Sequence, residues 1–314
     1  MSQSSYTKFN FVDQYGKYGI VSQLEDNLKS FLDWAFLNIG AYTNISKNQS
    51  NLYGTSMCKL QQATDPALAG KAWESFKKDW VWESGVTYNS GSPINISGVY
   101  INDNFIPGPT GNSTYPYHIN YPLGRVTFNK ALTANTKVEA EYSFRNIQVY
   151  KSNESDWFKE LQENSYDPSK YSNIKTITAN HRVQMPCIIL ELLPRTVLSP
   201  YELGSRRNII LQDLMFHVLA ENYSDRMLII DILLNQKDKT LLLYDINKVV
   251  SDNAYSLDYR GSKNPNGKGY EEILSDSDYT LNTAHIKNMD MIDLETYGPN
   301  IFKGSLRASF LIFP

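Results

Sequence analysis

The sequence predicts an α+β fold: a mixed or antiparallel sheet with packed helices, plus an inserted all-β, sandwich-like domain. Two observations carry this prediction. The segment Arg182–Lys248 contains two long apolar strands, a helix and a third strand in that order, which is typical of a sheet with a helix on one face. The region Val86–Tyr150 changes to short strands broken by Gly, Pro and Asn, and this change of period is typical of an inserted domain.

The central segment supplies the core of the prediction. Its two long strands are apolar on both faces, so we expect them inside a covered sheet. Its helix begins with Ser224 as N-cap and Asp225 in the first turn, as helix N-termini favour. The expected elements are strands Val183–Leu193, Asn208–Ala220 and Thr240–Ile246 and the helix Ser224–Gln236.

The length of 314 residues exceeds what one hydrophobic core usually serves. The first element is an amphipathic helix over Tyr18–Ile39, with apolar residues at spacings of three and four and Gly40 as the stop. The predicted parts are residues 1–60 (N-terminal helix and first core strands), 61–150 (inserted β-rich domain), 151–180 (linker with a short helix) and 181–314 (remainder of the α+β core, with a polar loop at 252–278).

Several shorter segments complete the secondary structure. Strict alternation over Lys137–Phe144 predicts a strand with one buried face. The polar, glycine-containing loop Asp252–Asp278 is expected to be exposed, and to be ordered only against a neighbouring chain. The remaining predicted elements are strands Tyr42–Ile45, Leu52–Leu60, Ile286–Tyr297 and Ser305–Phe313, a short helix and strand within Asp65–Glu83, and a helix Glu154–Gln162.

Composition excludes several functional classes. The net charge of -3 provides no basic field for nucleic acid, and no apolar run reaches the roughly 18 to 20 residues that span a bilayer. The polar N-terminus lacks an apolar signal segment, so export is not expected. We expect Cys58 and Cys187 to be small buried apolar residues without a disulfide, as in a reducing compartment. The 22 tyrosines favour protein interfaces.

No residues form a reactive or metal-binding pattern. The four histidines, of which His217 is one, are scattered singly and form no HxH or HExxH motif. His217 and Asp213 share a strand face but lie roughly 13 Å apart along an extended strand, which is too far to bond. The glycines of Gly261–Gly269 are not in a phosphate-binding register, and no GxSxG elbow is present. We therefore expect no catalytic residue, no metal, no cofactor and no enzymatic activity.

The order of motifs resembles that of a known family. After the first helix come Pro186–Glu191, Glu202–Gly204, Phe216–Glu221 and then Ser224-Asp225-Arg226 at the start of a helix. This arrangement is similar to the tail-terminator or neck proteins of tailed bacteriophages, and the resemblance is one of fold pattern. The middle of the chain resembles accessory β-domains of phage structural proteins in the segments Val99–Asn102, Tyr121–Phe128 and Val138–Tyr142.

The resemblance implies a virion structural protein of the neck or tail, of the tail-terminator or head–tail connector type. Such a subunit acts through protein–protein contacts in a homo-oligomeric ring, here expected to be a hexamer, and assembles in the host cytoplasm. The implied partners are further copies of the chain and other neck, tail and connector proteins, with no membrane and no specific nucleic acid. The candidate interface residues are Tyr201, Glu202, Arg206, Arg207, Tyr259 and Arg260.

Alternatives remain open at this stage. Arg206-Arg207 could receive a carboxylate from a neighbouring chain, or it could be a solvated entry to a strand. The tryptophans Trp73, Trp80 and Trp82 either fill a core or form an aromatic platform, which would make the chain a carbohydrate-binding or adhesin-type tail or baseplate accessory protein. A hydrolase with an unrecognised pair of carboxylates is the third hypothesis.

Overall fold

The computed structural model describes residues 19–108, 114–133, 135–155, 158, 183–202, 208–297 and 300–313. Its helices are α1 (Ile20–Asn38), α2 (Tyr223–Leu234), α3 (Ile246–Ser251) and α4 (Tyr270–Ser275). Its strands are β1 (Tyr42–Ile45), β2 (Gln61–Gln62), β3 (Ala72–Glu74), β4 (Gly98–Ile101), β5 (Asn104–Pro107), β6 (Tyr117–Asn120), β7 (Arg125–Phe128), β8 (Val138–Ala140), β9 (Tyr142–Arg145), β10 (Gln148–Lys151), β11 (Cys187–Pro200), β12 (Asn208–Ala220), β13 (Thr240–Tyr244), β14 (Thr280–Tyr297) and β15 (Ile301–Phe313).

The fold is β-rich, and the predicted α+β class with packed helices is wrong. Strand makes up 42% of the structure and helix 20%. The main source of the error is the C-terminal region, where β14 has 18 residues and β15 has 13. Because the burial of β14 changes along its length, no single periodicity marks its full extent in the sequence.

The largest sheet has six strands in the order β10-β11-β12-β15-β14-β13 and is curled. Its neighbours are antiparallel except β10 and β11, which are parallel. The register shifts within β11, between Leu192 and Thr196, and twice within β14. Such bulges bend a strand and increase its twist, so they contribute to the curl.

One face of this sheet carries the main hydrophobic core. Leu24, Leu28, Leu32 and Phe36 of α1 belong to the same buried cluster as residues of β11, β12, α2 and β15. The predicted first helix is confirmed, and it ends before Gly40, whose φ of 83° favours glycine. The second helix is also confirmed, but its N-cap is Asn222, whose side chain accepts from the Asp225 N–H at 2.7 Å, and not Ser224.

A second core lies among three smaller sheets, β2-β3-β7-β6, β5-β4-β8 and β1-β9. Its centre is Trp80, which is fully buried and stacks on Tyr142 with ring centroids 4.6 Å apart. Trp73 is also buried, so the core-filling alternative is the correct one for both tryptophans. The predicted strand Leu52–Leu60 is wrong, because Leu52 lies fully exposed in a turn.

The segment 252–278 lies largely at the surface, as expected, but the expectation that it is ordered only against a neighbouring chain is wrong. The Asp258 carboxylate accepts from the backbone N–H groups of Arg260 and Ser262 at 2.8 and 2.9 Å and so fixes a turn. The Ser262 hydroxyl donates to the Ile119 carbonyl at 2.6 Å, which ties the turn to β6. Local hydrogen bonds and contacts within the same chain therefore order this polar composition.

Other predictions fall on residues that the structure does not describe. The predicted linker 151–180 and its helix Glu154–Gln162 lie largely outside the described residues, and so do Arg206 and Arg207. The strand predicted over Val183–Leu193 begins later and ends later, at Cys187 and Pro200. None of the helices among the described residues is long and apolar enough to cross a membrane.

Replacement of Phe216 by alanine tests the main core. Phe216 is 2% exposed and belongs to the cluster between α1 and the sheet. We expect Phe216→Ala to lower the free energy of unfolding by about 3 to 5 kcal/mol, because it removes buried apolar surface and leaves a cavity. Phe76→Ala is the matched control, since Phe76 is 90% exposed, and should change stability by less than about 0.5 kcal/mol. Equal losses in denaturant unfolding would contradict this assignment of the core.

Candidate functional site

The six-stranded sheet has an open edge on each side. On one side β10 pairs only with Cys187–Leu190 of β11, so residues 192–200 of β11 have no outer strand partner within the described part of the chain. On the other side β13 pairs with β14 up to His285, and residues 288–296 are likewise unpaired there. Open edges present rows of backbone N–H and C=O groups, which can template pairing with another chain.

Both open edges also expose apolar side chains. Leu198 on β11 is 63% exposed, and Ile292 on β14 is 56% exposed. Val197 on the first edge and Met291 and Leu294 on the second are exposed as well. Proteins usually protect such edges with charge, proline or a covering element. The β11 edge contains Pro194, Arg195 and Pro200, and the β14 edge contains Asp290, Asp293 and Glu295, so exposed apolar side chains alternate with protective residues on both edges.

The predicted interface residues divide between two regions. Tyr201 and Glu202 follow the end of β11 and are exposed. Tyr259 and Arg260 lie on the turn beside β6, where the Arg260 Nε donates to the Tyr259 hydroxyl at 2.7 Å. Tyr201 and Glu202 therefore adjoin the six-stranded sheet, whereas Tyr259 and Arg260 adjoin the sheet that contains β6. The role of these four residues at an interface stays a prediction.

A buried carboxylate lies on the face of the sheet opposite the main core. The hydroxyl of Ser309 donates to Asp213 Oδ1 at 2.6 Å, and the Arg307 guanidinium donates to Asp213 Oδ2. Arg195 Nη1 lies 3.6 Å from the same carboxylate. Burial alone would raise the pKa of Asp213, but the hydrogen bonds from Ser309 and Arg307 outweigh it and hold the pKa below its usual value. This cluster links β11, β12 and β15 by charge.

His217 lies further along the same face, in a hydrogen-bonded row with a serine and a glutamate. Its Nδ1 is 3.2 Å from Ser305 Oγ, and its Nε2 is 2.7 Å from Glu191 Oε2. The three residue types are those of hydrolytic triads. However, Ser305 and His217 are each only 5% exposed, and the Phe158 ring packs against the His217 ring with centroids 4.9 Å apart, so these two side chains are shielded from solvent on this face of the sheet. The row joins β11, β12 and β15.

A second buried charge network joins α1 to the smaller sheets. Arg145 on β9 is buried, pairs with Glu83, and has its Nε 3.9 Å from Asp33 Oδ1 of α1. Its guanidinium also stacks over the Trp82 ring at 3.9 Å. Burial raises the pKa of the carboxyls of Glu83 and Asp79, and the positive charge of Arg145 opposes both shifts. Three carboxyl groups, those of Asp33, Asp79 and Glu83, thus share two positive charges, the Arg145 guanidinium and the Lys29 ammonium 3.6 Å from Asp33.

A cleft of about 430 Å³ adjoins this network. Its walls come from α1, the Asp79–Glu83 segment, β10 and the folded 252–278 segment. Aromatic rings and ionisable groups share the lining, which includes Lys29, Asp33, Trp34, Asp79, Trp82, Tyr150, Tyr255 and Tyr270. No group of three or more His, Cys, Asp or Glu side chains among the described residues could hold a metal ion.

A scan against models of known protein families and a search of curated proteins give no significant match to this chain. The function is therefore inferred from the residues of the chain.

The sequence did not predict the open edges, the Asp213 cluster or the cleft. A signal for one edge was present, since Asn288–Thr296 alternates apolar and acidic residues over part of its length, as a solvent-facing strand would.

Glu83→Gln should change how stability depends on pH. The pKa of Glu83 is raised above its usual value of 4.5, so the folded state holds this proton more tightly than the unfolded state. Its contribution to stability is then complete below the unfolded pKa and declines as the pH rises through the folded pKa. We expect the free energy of unfolding of the wild type, minus that of Glu83→Gln, to fall as the pH rises above 4.5. Denaturant titrations at several pH values measure this difference.

Asp103→Asn is the control with the opposite sign. Hydrogen bonds from Lys137 and Lys47 lower the pKa of the exposed Asp103 carboxyl below 3.8. The free energy of unfolding of the wild type, minus that of Asp103→Asn, should therefore fall as the pH drops through and below 3.8. A difference for Glu83→Gln that is flat or that rises with pH would show that the surroundings of Glu83 do not raise its pKa.

Proposed function

We propose that this chain is a structural subunit of a tailed-phage virion, in the neck or tail, of the tail-terminator or head–tail connector type. It acts by forming a ring through protein–protein contacts and performs no catalysis. The observation that carries the proposal is the pair of open edges on opposite sides of one sheet, each with exposed apolar side chains. The order of motifs in the sequence, which resembles that of tail-terminator and neck proteins, is the second support.

The strand directions of the two edges fit one another. β11 is antiparallel to β12, β12 to β15, and β15 to β14. Three reversals leave β11 and β14 antiparallel, so the β14 edge of one copy adds to the β11 edge of the next as a further antiparallel strand. Main-chain pairing of this kind supplies affinity, and the side chains along the edges supply specificity.

Such a contact joins two different surfaces, so it is heterologous. Repeated heterologous contacts close into a ring when each step includes a suitable rotation. The curl of the sheet supplies a rotation in a constant direction. A closed ring pairs residues 192–200 of β11 with residues 288–296 of β14 in the next copy and so covers both exposed apolar stretches, while the outer edges of β10 and β13 lie outside this contact. We infer that the helix-covered and polar faces of the sheet then lie on opposite sides of the wall of the ring.

The proposed partners are further copies of the chain, with a hexamer as the expected order, and other neck, tail and connector proteins. The proposed location is the virion, after assembly in the host cytoplasm. A catalytic role is less well supported, because Ser305 of the triad-like row is buried in the sheet. The carbohydrate-binding alternative cannot rest on Trp73 and Trp80, because both rings are inside the second core.

Aspartate at either edge should prevent ring formation. Leu198→Asp on β11 and Ile292→Asp on β14 each place a charge where two copies meet, and each should convert the oligomer to monomers because burying an unpaired charge is costly. Leu228→Asp is the matched control: Leu228 is 58% exposed, close to the 63% of Leu198 and the 56% of Ile292, but it lies on α2. Light scattering after size-exclusion chromatography measures the mass of each variant.

Mixing the two edge variants tests whether the contact is heterologous. Leu198→Asp retains an intact β14 edge, and Ile292→Asp retains an intact β11 edge. A mixture should therefore form a heterodimer with one working junction and no ring, while each variant alone stays monomeric. A wild-type chain that remains strictly monomeric at high concentration and in the presence of virion components contradicts the proposal, and so does an unchanged oligomer in both variants.

A further inference from the structure

The 430 Å³ cleft contains several polar groups whose hydrogen-bonding capacity is unused. Among the described residues, the Lys29 ammonium has a single ion-pair contact, with Asp33 at 3.6 Å. Asp79 accepts one side-chain hydrogen bond, from Tyr150 at 3.2 Å. The hydroxyls of Tyr255 and Tyr270 make no hydrogen bond with the described part of the chain. These groups line one cavity, and a bound molecule that both donates and accepts hydrogen bonds would satisfy them together.

The signs of charge in the cleft restrict the ligand. Five carboxyl groups line the cleft, those of Asp33, Asp79, Glu83, Glu154 and Asp258, and they oppose an anion. Ion pairs with Lys29, Arg145 and Lys151 offset the charges of Asp33, Glu83 and Glu154, and burial raises the pKa of Asp79. A neutral molecule avoids the repulsion that an anion meets and leaves these ion pairs in place. Hydroxyl groups suit this lining, because each hydroxyl can donate to a carboxylate and accept from an ammonium or a phenol.

The aromatic lining adds a second restriction. Trp34 and Tyr270 pack together with centroids 5.2 Å apart, and both line the cleft with Trp82 and Tyr255. Aromatic faces contact apolar C–H surfaces favourably, and a pyranose ring combines such a surface with a rim of hydroxyls. The volume lies within the range of roughly 300 to 1,000 Å³ typical of small-molecule sites, and the cleft is open to solvent where Tyr255 is exposed.

We infer that the cleft formed by α1, the Asp79–Glu83 segment and the 252–278 segment binds a neutral saccharide unit. Asp33 and Asp79 accept from sugar hydroxyls, Lys29 and Tyr255 donate to sugar oxygens, and the aromatic residues contact the ring. This site is unrelated to the edges of the six-stranded sheet and does not depend on ring assembly. It also differs from the platform expected from the sequence, since of those three tryptophans only Trp82 lines it.

Isothermal titration and saturation-transfer NMR with methyl glycosides of glucose, galactose, mannose and N-acetylglucosamine test the inference. We expect at least one glycoside to bind the wild-type chain. Tyr255→Ala should weaken that binding by about tenfold or more, and Tyr255→Phe by a smaller factor because only the hydroxyl is lost. Tyr259→Ala, four residues further along the same segment and 88% exposed, should leave the affinity unchanged.

Thermal unfolding of each variant separates loss of binding from loss of folding, and Lys29→Met serves as a second site variant if Tyr255→Ala is unstable. Three results would overturn the inference: binding of none of the glycosides, binding of spermidine or inorganic phosphate in their place, or equal affinity in Tyr255→Ala, Lys29→Met and wild type. Because these measurements do not require an oligomer, their failure is distinguishable from failure of ring assembly.

Discussion

The pairing of β12 with β15 is the constraint on which the rest of the structure depends. Eleven residues of β12, from Ile210 to Ala220, have a partner in β15, and the pair lies in the middle of the six-stranded sheet. Its apolar face contributes Leu214, Phe216 and Leu306 to the main core. Its polar face carries the Asp213 and His217 clusters. Every further strand of the sheet adds to one side of this pair, so its register determines where both outer edges end.

The junction between the two cores is different in character, because charge and hydrogen bonds hold much of it. Arg145 brings together carboxylates from α1 and from the segment between β3 and β4, and Ser262 ties the 252–278 segment to β6. Breaking a buried ion pair costs more than the pair contributes. The ion pairs therefore fix the orientation of the two cores relative to each other. The polar side chains at the junction also leave a cleft, which close-packed apolar side chains would have filled.

The sequence predicts local structure well where one period persists. The spacing of Leu24, Leu28 and Leu32 marks α1. The alternation over Lys137–Phe144 correctly marks strand, but the single strand with one wet face is wrong, because the segment forms β8 and β9 and the polar residues Glu139 and Ser143 are buried. The prediction fails where burial changes along one element. This is the case in β14, and because its full length was not recognised, the predicted fold class was wrong. The cleft could not be predicted either, because Lys29, Asp79 and Tyr255 lie far apart in the chain and meet only through tertiary packing. Polar composition at 252–278 concealed a segment ordered by its own side-chain hydrogen bonds.

The bulges in β11 and β14 have a geometric consequence. In a closed wall built from identical units, the number of units is fixed by the angle through which each one turns the wall, and not by how strongly the units adhere. The irregularities between Leu192 and Thr196 and near Ile286 and Met291 help to set that angle. In the proposed ring, removing an extra residue at these points would flatten each unit and enlarge the circumference, so a few backbone irregularities would set the diameter of the bore.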